Sequence, residues 1–159
     1  MLNVFRMMGM MGGERVAVMS TGAVPMATML STGVRGAADV DAVATREKSG
    51  AQVMVWDYHD VAEGDGTSET SVRVDGIPGG VKKVLVEEFR IDDAHSNAYA
   101  AWKGMGSPQA PSAEQIGELK RVEGLELLRS PVWVDVVGGG VVVKTVLSRE
   151  SVDLLRLSW

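Results

Sequence analysis

The sequence predicts a mainly β protein, an antiparallel β-sandwich with a short N-terminal helix and a two-helix insert. Three observations carry this. About eight short apolar segments rich in Val recur along the chain, most bounded by Gly, Pro, Asp or Ser turn signals. Those segments do not alternate with helical ones, which excludes a (β/α)8 barrel, and 159 residues fall short of the roughly 250 such a barrel needs. The composition, 45% hydrophobic and 23% charged, is that of one globular domain able to bury a core.

The first segment, Asn3 to Met11, reads as a helix that is apolar nearly all round. Leu2, Phe5, Met8 and Met11 form one stripe, Val4 and Met7 widen it, and only Asn3 and Arg6 are polar. Such a helix belongs inside something larger, which favours a domain severed from a bigger body. The alternative is a helix closing one end of the sandwich, with methionine as adaptable filler. Gly12-Gly13 offers its exit. As a signal peptide the segment lacks a charged start and a clear cleavage site, and Arg6 interrupts it. A soluble, cytoplasmic chain is the expectation.

Glu14 to Met19 reads as a short strand, and Ser20 to Gly36 as loop, with Pro25 opening a helical turn through Met26, Met29 and Leu30. Strands follow at Val40 to Arg46 and Gln52 to Tyr58, turned at Lys48-Ser49-Gly50; the second is apolar on both faces. Asp60 to Glu69 is an acidic, Gly-rich loop, and Ser71 to Val74 a strand ended by Asp75-Gly76 and Pro78-Gly79-Gly80. Val81 to Ile91 is a long strand with Leu85, Phe89 and Ile91 on one side and Val84 and Val86 across the pleat. The insert, about 97–122, holds one helix capped by Asn97 and another with a capping box at Ser112 and Gln115. Strands return at Leu125 to Leu128, Val132 to Val137, Val141 to Leu147 and Val152 to Leu157, with Gly138-Gly139-Gly140 as a hairpin turn.

The chemistry in the chain is sparse. A net charge of −5 lacks the basic stripe of a nucleic-acid binder. With no cysteine, disulfides and thiolate zinc sites are impossible. No apolar run reaches the roughly 18 residues of a membrane span. Gly138-Gly139-Gly140 lies between strands without a following helix, so it is no phosphate cradle, and no cofactor is implied. His59 and His95 each have acids nearby, Asp57 and Asp60 for the first, Asp92 and Asp93 for the second. Nothing brings the two together, so each is read as fixing a loop rather than as a metal ligand. Glu87 and Glu88 face opposite sides of their strand and cannot act as a pair. Asp92-Asp93 read as turn formers ahead of a helix. Trp56, Trp102 and Trp133 read as core rather than as sugar-stacking platforms.

One block is specific beyond packing: Asp92-Asp93-Ala94-His95-Ser96-Asn97-Ala98-Tyr99-Ala100-Ala101-Trp102, continuing through Met105-Gly106-Ser107-Pro108 to Pro111-Ser112-Ala113-Glu114-Gln115. With Met8 to Val16, Gly33-Val34-Arg35-Gly36, Val55 to Asp60 and Leu154-Leu155-Arg156-Leu157, it resembles the C-terminal part of glycoside hydrolase family 39, the β-xylosidases and α-L-iduronidases. The resemblance implies a retaining glycosidase whose catalytic glutamates sit on a (β/α)8 barrel. The acid/base one lies in an Asn-Glu pair, and neither Asn3 nor Asn97 precedes a glutamate. By that resemblance residues 1–12 would be the terminal helix of a missing barrel and 13–159 the accessory sandwich. The chain itself would hold no catalytic, cofactor or metal residue. The barrel is its implied partner, a homo-oligomer is conceivable in such enzymes, and substrate is met only through the whole enzyme. Such a sandwich can also borrow a strand from the absent part, leaving an edge unpaired. The loop holding Asp93, His95 and Asn97 is the first candidate to approach a neighbouring active site. The other reading is a free-standing carbohydrate-binding sandwich, which requires an exposed coplanar aromatic pair.

Overall fold

The computed structural model describes residues 2–61 and 66–159. Its elements in chain order are α1 (Leu2–Gly9), β1 (Glu14–Val16), α2 (Met26–Thr32), β2 (Asp39–Glu47), β3 (Gly50–Tyr58), β4 (Thr67–Asp75), β5 (Lys83–Ile91), α3 (Ala98–Gly104), α4 (Ala113–Val122), β6 (Glu126–Leu127), β7 (Val132–Asp135), β8 (Gly140–Ser148) and β9 (Val152–Ser158). The protein is mainly β and wholly antiparallel, as its alternating patterns require.

One sheet runs β1-β2-β3-β9-β5-β6, and β7 shares the outer edge of β5 with β6. A second sheet holds only β4 and β8. Between the two sheets lies a core of Ala44, Val53, Val84, Val86, Leu155 and Leu157 from the large sheet, with Val141 and Val143 from β8. The other face of the large sheet buries Met54 and Leu154 under Met7 of α1, with Phe89 and Ile91 alongside. The pleat of β5 therefore divides as its sequence predicts. Val84 and Val86 point between the sheets, and Phe89 and Ile91 point toward the helix.

α1 is amphipathic in an unexpected sense. Its polar Asn3 faces inward and is buried, and Leu2, Phe5 and Met8 face outward, at 62%, 62% and 49% exposure. Asn3 Nδ2 donates to Ser96 O at 2.6 Å and to Glu123 O at 3.1 Å. Arg6 Nη1 donates to Asn3 Oδ1 at 2.6 Å and Glu123 O at 2.8 Å. The uncovered stripe expected on this helix is present, except that Met11 packs against the second core cluster. Gly13 makes the exit: its φ is +78°, and a Cβ there would lie 2.1 Å from Arg46 O.

Several expectations need correcting. Gly138-Gly139-Gly140 is not the turn of a hairpin between neighbouring strands. Gly138 and Gly139, at φ +60° and +76°, close one bridge between Val137 and Gly140. β7 then stays on β5, and β8 crosses to β4 in the other sheet. β4 begins at Thr67, so the loop expected over 60–69 is shorter; its residues 62–65 lie outside the described ones. β1 ends at Val16 rather than Met19. Trp133 is 62% exposed because β7 is an edge strand and nothing packs over it on the side shared with Leu85.

The burial pattern orders the expected effects of truncation. Leu154→Ala removes a fully buried side chain from the central strand and should lower unfolding free energy by about 2–5 kcal/mol. Trp133→Ala should stay within about 0.5 kcal/mol, because its site is open. Urea unfolding followed by far-UV circular dichroism measures both.

Candidate functional site

The strand directions gather the two longest connections at one end of the molecule. β3, β5 and β8 end where β2, β4 and β9 begin, so the segments 17–38, 92–125 and 149–151 emerge together, with residues 59–61 and 66 beside them. Loops gathered at one end of a rigid sheet are where binding and catalytic groups concentrate.

Acidic side chains tie these loops to the sheet. Asp39 accepts from Val24 N at 2.7 Å and from the Trp56 indole at 2.9 Å. Asp60 accepts from Val34 N at 2.8 Å and from the Tyr58 hydroxyl at 3.0 Å. That hydrogen bond and the Asp60 charge raise the pKa of Tyr58. His59 is buried with both ring nitrogens engaged. Its Nε2 lies 3.2 Å from Gly36 O, and Nδ1 receives Val61 N at 3.2 Å and Arg149 Nη2 at 2.7 Å. A carbonyl on one side and two donors on the other require an Nε2–H tautomer. His59 therefore fixes loops, as its sequence setting suggests.

The block from Asp92 onward folds into a tight turn. Asp92 Oδ1 accepts from Ala94 N at 2.8 Å, His95 N at 2.8 Å and His95 Nδ1 at 2.9 Å. Burial opposes ionisation of Asp92, but the His95 ring and the two backbone donors outweigh it and lower its pKa. Asn97 donates to Asp92 O at 3.0 Å and caps α3 by accepting from Ala100 N at 3.1 Å. Ser96, at φ +54°, receives Glu126 N on its hydroxyl at 2.9 Å. Of the expected loop residues, Asn97 is committed to structure, Asp93 is exposed, and His95 is half-buried with no hydrogen bond on Nε2 among the described residues. His59 and His95 serve different loops, and no group of three or more metal-binding side chains occurs among the described residues.

A second polar cluster, one that no sequence motif announced, lies between the sheets. Arg90 pairs with Asp153 through Nε–Oδ1 at 2.7 Å and Nη2–Oδ2 at 2.6 Å, and it donates to Thr145 Oγ1 at 2.9 Å. Glu88 shares this interior. Its pKa is raised by burial first and by Asp153, with Thr145 and Arg129 opposing. Arg129 reaches 2.6 Å from Glu88 Oε2 without hydrogen-bond alignment. Glu87 lies across the pleat, 3.3 Å from Arg156. The one signal available in sequence was the alternation that put Glu88 and Arg90 on the same side as Val84 and Val86.

A groove of about 810 Å³ runs along the outer edge of β4. Ala42, Ala44, Val53, Val55, Val72 and Trp159 line it, facing the segment 16–22. β4 pairs with β8 alone, so the backbone groups on its other edge point into this groove. Aromatic platforms are few: Tyr99 stacks on Trp102 at 5.6 Å and has the Lys103 ammonium 5.2 Å from its ring. Trp102 also donates its indole N–H to Pro108 O at 3.0 Å.

The family model of Glycosyl hydrolases family 39 matches residues 1–133. Over 53 residues, 33% of this chain and 8% of the relative, it is 38% identical to α-L-iduronidase of Mus musculus. Among solved structures, the GH39 enzyme from Xanthomonas axonopodis pv. citri superposes with a TM-score of 0.64 at 15% identity, over 79% of this chain and 28% of that one. A monomeric β-xylosidase from Caulobacter crescentus CB15 gives 0.59 at 17%, over 81% and 29%. A bacterial orthologue of human α-L-iduronidase gives 0.60 at 20%, over 75% and 22%. These likenesses establish the fold, and the chain spans less than a third of the length of each of these four proteins.

The Asp92 turn gives a pH-dependent expectation. A lowered carboxyl pKa stabilises the fold above the ordinary carboxylate range, and the contribution is lost as the pH falls through the folded value. Asp92→Asn should therefore cost about 1 kcal/mol at neutral pH. The gap to the wild type should close below about pH 4. Thermal melts across pH 3–7 measure it.

Proposed function

The chain belongs to glycosyl hydrolases family 39, and from that membership we propose that it acts as the non-catalytic C-terminal β-sandwich of a retaining, β-xylosidase-like glycosidase. The observation that carries the reading is α1. One face is sewn into the sandwich by Asn3, Arg6 and Met7, and the other offers Leu2, Phe5 and Met8 to a neighbour. An apolar stripe of this kind fits the surface of a catalytic barrel, which would make residues 2–12 the seam between the two bodies.

Two further features support it. The acids that could serve hydrolysis are engaged elsewhere: Glu88 and Asp153 are sealed between the sheets, and Asp39, Asp60 and Asp92 hold loop backbone. A retaining mechanism needs two carboxylates about 5 Å apart around an open cleft. The β4 groove, in turn, suits an extended strand contributed by the absent portion, completing the two-stranded sheet. In the whole enzyme the substrate would be a xyloside or a related glycoside, cleaved on the barrel.

The test is reconstitution. The chain alone should not turn over an aryl β-xyloside, and it should associate with a family barrel supplied as a separate polypeptide. Phe5→Asp should weaken that association at least about tenfold, because a charge would sit in an apolar contact. It should leave the domain's own melting temperature nearly unchanged, since Phe5 is 62% exposed. Turnover by the isolated chain would refute the proposal.

A second reading, a sandwich that binds sugar by itself, calls for an exposed coplanar aromatic pair, and Trp133, exposed at 62%, has no ring stacked on it among the described residues. On that reading Trp133→Ala abolishes retention on insoluble xylan; on the first, neither the wild type nor the variant is retained.

A further inference from the structure

His95 and His59 are held in opposite ways. The His59 ring is closed off, with donors on Nδ1 and a carbonyl on Nε2. The His95 ring has one fixed end, Nδ1, at 2.9 Å from a carboxylate oxygen that two backbone N–H groups also contact. A lone pair on Nδ1 would oppose that oxygen, so Nδ1 carries the proton and the neutral ring presents a lone pair at Nε2. The side chain is 34% exposed, and no described residue receives or donates at Nε2.

The turn that aims this ring is held from outside. Asp92 N donates to His95 O at 3.2 Å, closing a loop whose next residue, Ser96, sits at φ +54°. A serine in that region is disfavoured and persists only where its surroundings fix it. Here the Ser96 carbonyl accepts 2.6 Å from the buried Asn3 amide, and its hydroxyl accepts from Glu126 N. Asn3 is in turn oriented by Arg6 at 2.6 Å. The same helix thus carries the outward apolar stripe and the inward clamp on the His95 turn.

The geometry points to Asn3 as a positioning residue that, through Ser96, holds the Asp92–His95 pair with Nε2 outward as a proton acceptor for a hydroxyl-bearing ligand, a sugar. The sugar class rests on the proposed function; the positioning does not. Asp93, exposed beside it, is the other uncommitted polar group of the turn. Arg90 approaches Asp92 from β5 at 3.9 Å and steadies its charge.

The chain has two histidines, so long-range 1H–15N correlation of the imidazoles reads both at a pH where they are neutral. The expected wild-type pattern is Nδ1–H for His95 and Nε2–H for His59. An averaged or Nε2–H signature for His95 overturns the proposal. Arg6→Ala leaves the buried Asn3 in place, and Asn3→Ala removes the clamp itself. Each should shift His95 toward a tautomer mixture and speed amide exchange at Ala94 and His95 about tenfold, with His59 unmoved. An unchanged His95 signature in folded Arg6→Ala overturns the positioning role, whether or not Asn3→Ala folds. Xylose added well above the millimolar range should move the His95 Nε2 resonance and not that of His59; no movement overturns the ligand assignment. Failure to associate with a barrel would sink the proposed function and leave the tautomer result standing, so the two can fail separately.

Discussion

A sheet of seven strands has two faces to cover, and this chain brings two strands to one and a single short helix to the other. Every notable surface of the domain follows from that shortage. On the inter-sheet side, β4 and β8 cover the centre of the large sheet, and the space between β4 and the segment 16–22 is left as the β4 groove. On the opposite side α1 reaches Met54 and Leu154, and among the described residues none covers the outer face of α1 in turn. A free protein normally breaks such surfaces with charge. Here Leu2, Phe5 and Met8 are left apolar and exposed, which is the observation behind the proposed seam.

The centre of the sandwich solves a different problem. Apolar pairing alone would tolerate some sliding between β5 and β9, both of which are rich in Val and Leu. Arg90 lies opposite Asp153 in the register of those strands, and Thr145 of β8 joins them from the other sheet. A slip of one residue would turn Arg90 to the helix side and strand Asp153 among aliphatic side chains. The bidentate pair therefore penalises the wrong register more than it stabilises the right one, since its desolvation offsets much of its attraction. Glu88, on the same face, adds an acid whose pKa burial raises, and Arg129 from the β6–β7 link closes over it.

The local elements were legible because they depend on neighbours in sequence. The Ser112–Gln115 capping box forms with both of its hydrogen bonds, and Asn97 caps α3 as its position suggested. The alternation of Val84, Val86, Phe89 and Ile91 divides between two cores. What sequence did not disclose depends on strand order. Gly138-Gly139 looks like a hairpin turn and makes the local turn, yet its flanking strands part into different sheets. Trp133 reads as core until β7 is seen to be an edge. Asn3 reads as the polar side of a helix, and only the distant Ser96 and Glu123 carbonyls explain why it points inward. The acids around both histidines were visible; that one ring would be closed and the other open was not.

Hydrolysis of a glycoside calls for carboxylates that face solvent and a sugar together. In this domain Glu88 and Asp153 are covered between the sheets, and the loop carboxylates Asp60 and Asp92 accept hydrogen bonds that their turns require. Freeing Asp92 to act as an acid would release three donors and the turn with them. Freeing Asp153 would take from Arg90 its bidentate partner between the sheets. A carboxylate that holds up the fold cannot also trade its proton with a substrate at each turnover. In the Asp92–Ser96 turn the groups left unencumbered are the Asp93 carboxylate and an imidazole nitrogen, the latter held in place by a helix whose outer face is exposed. On the proposed reading, that arrangement serves a reaction centred on another body.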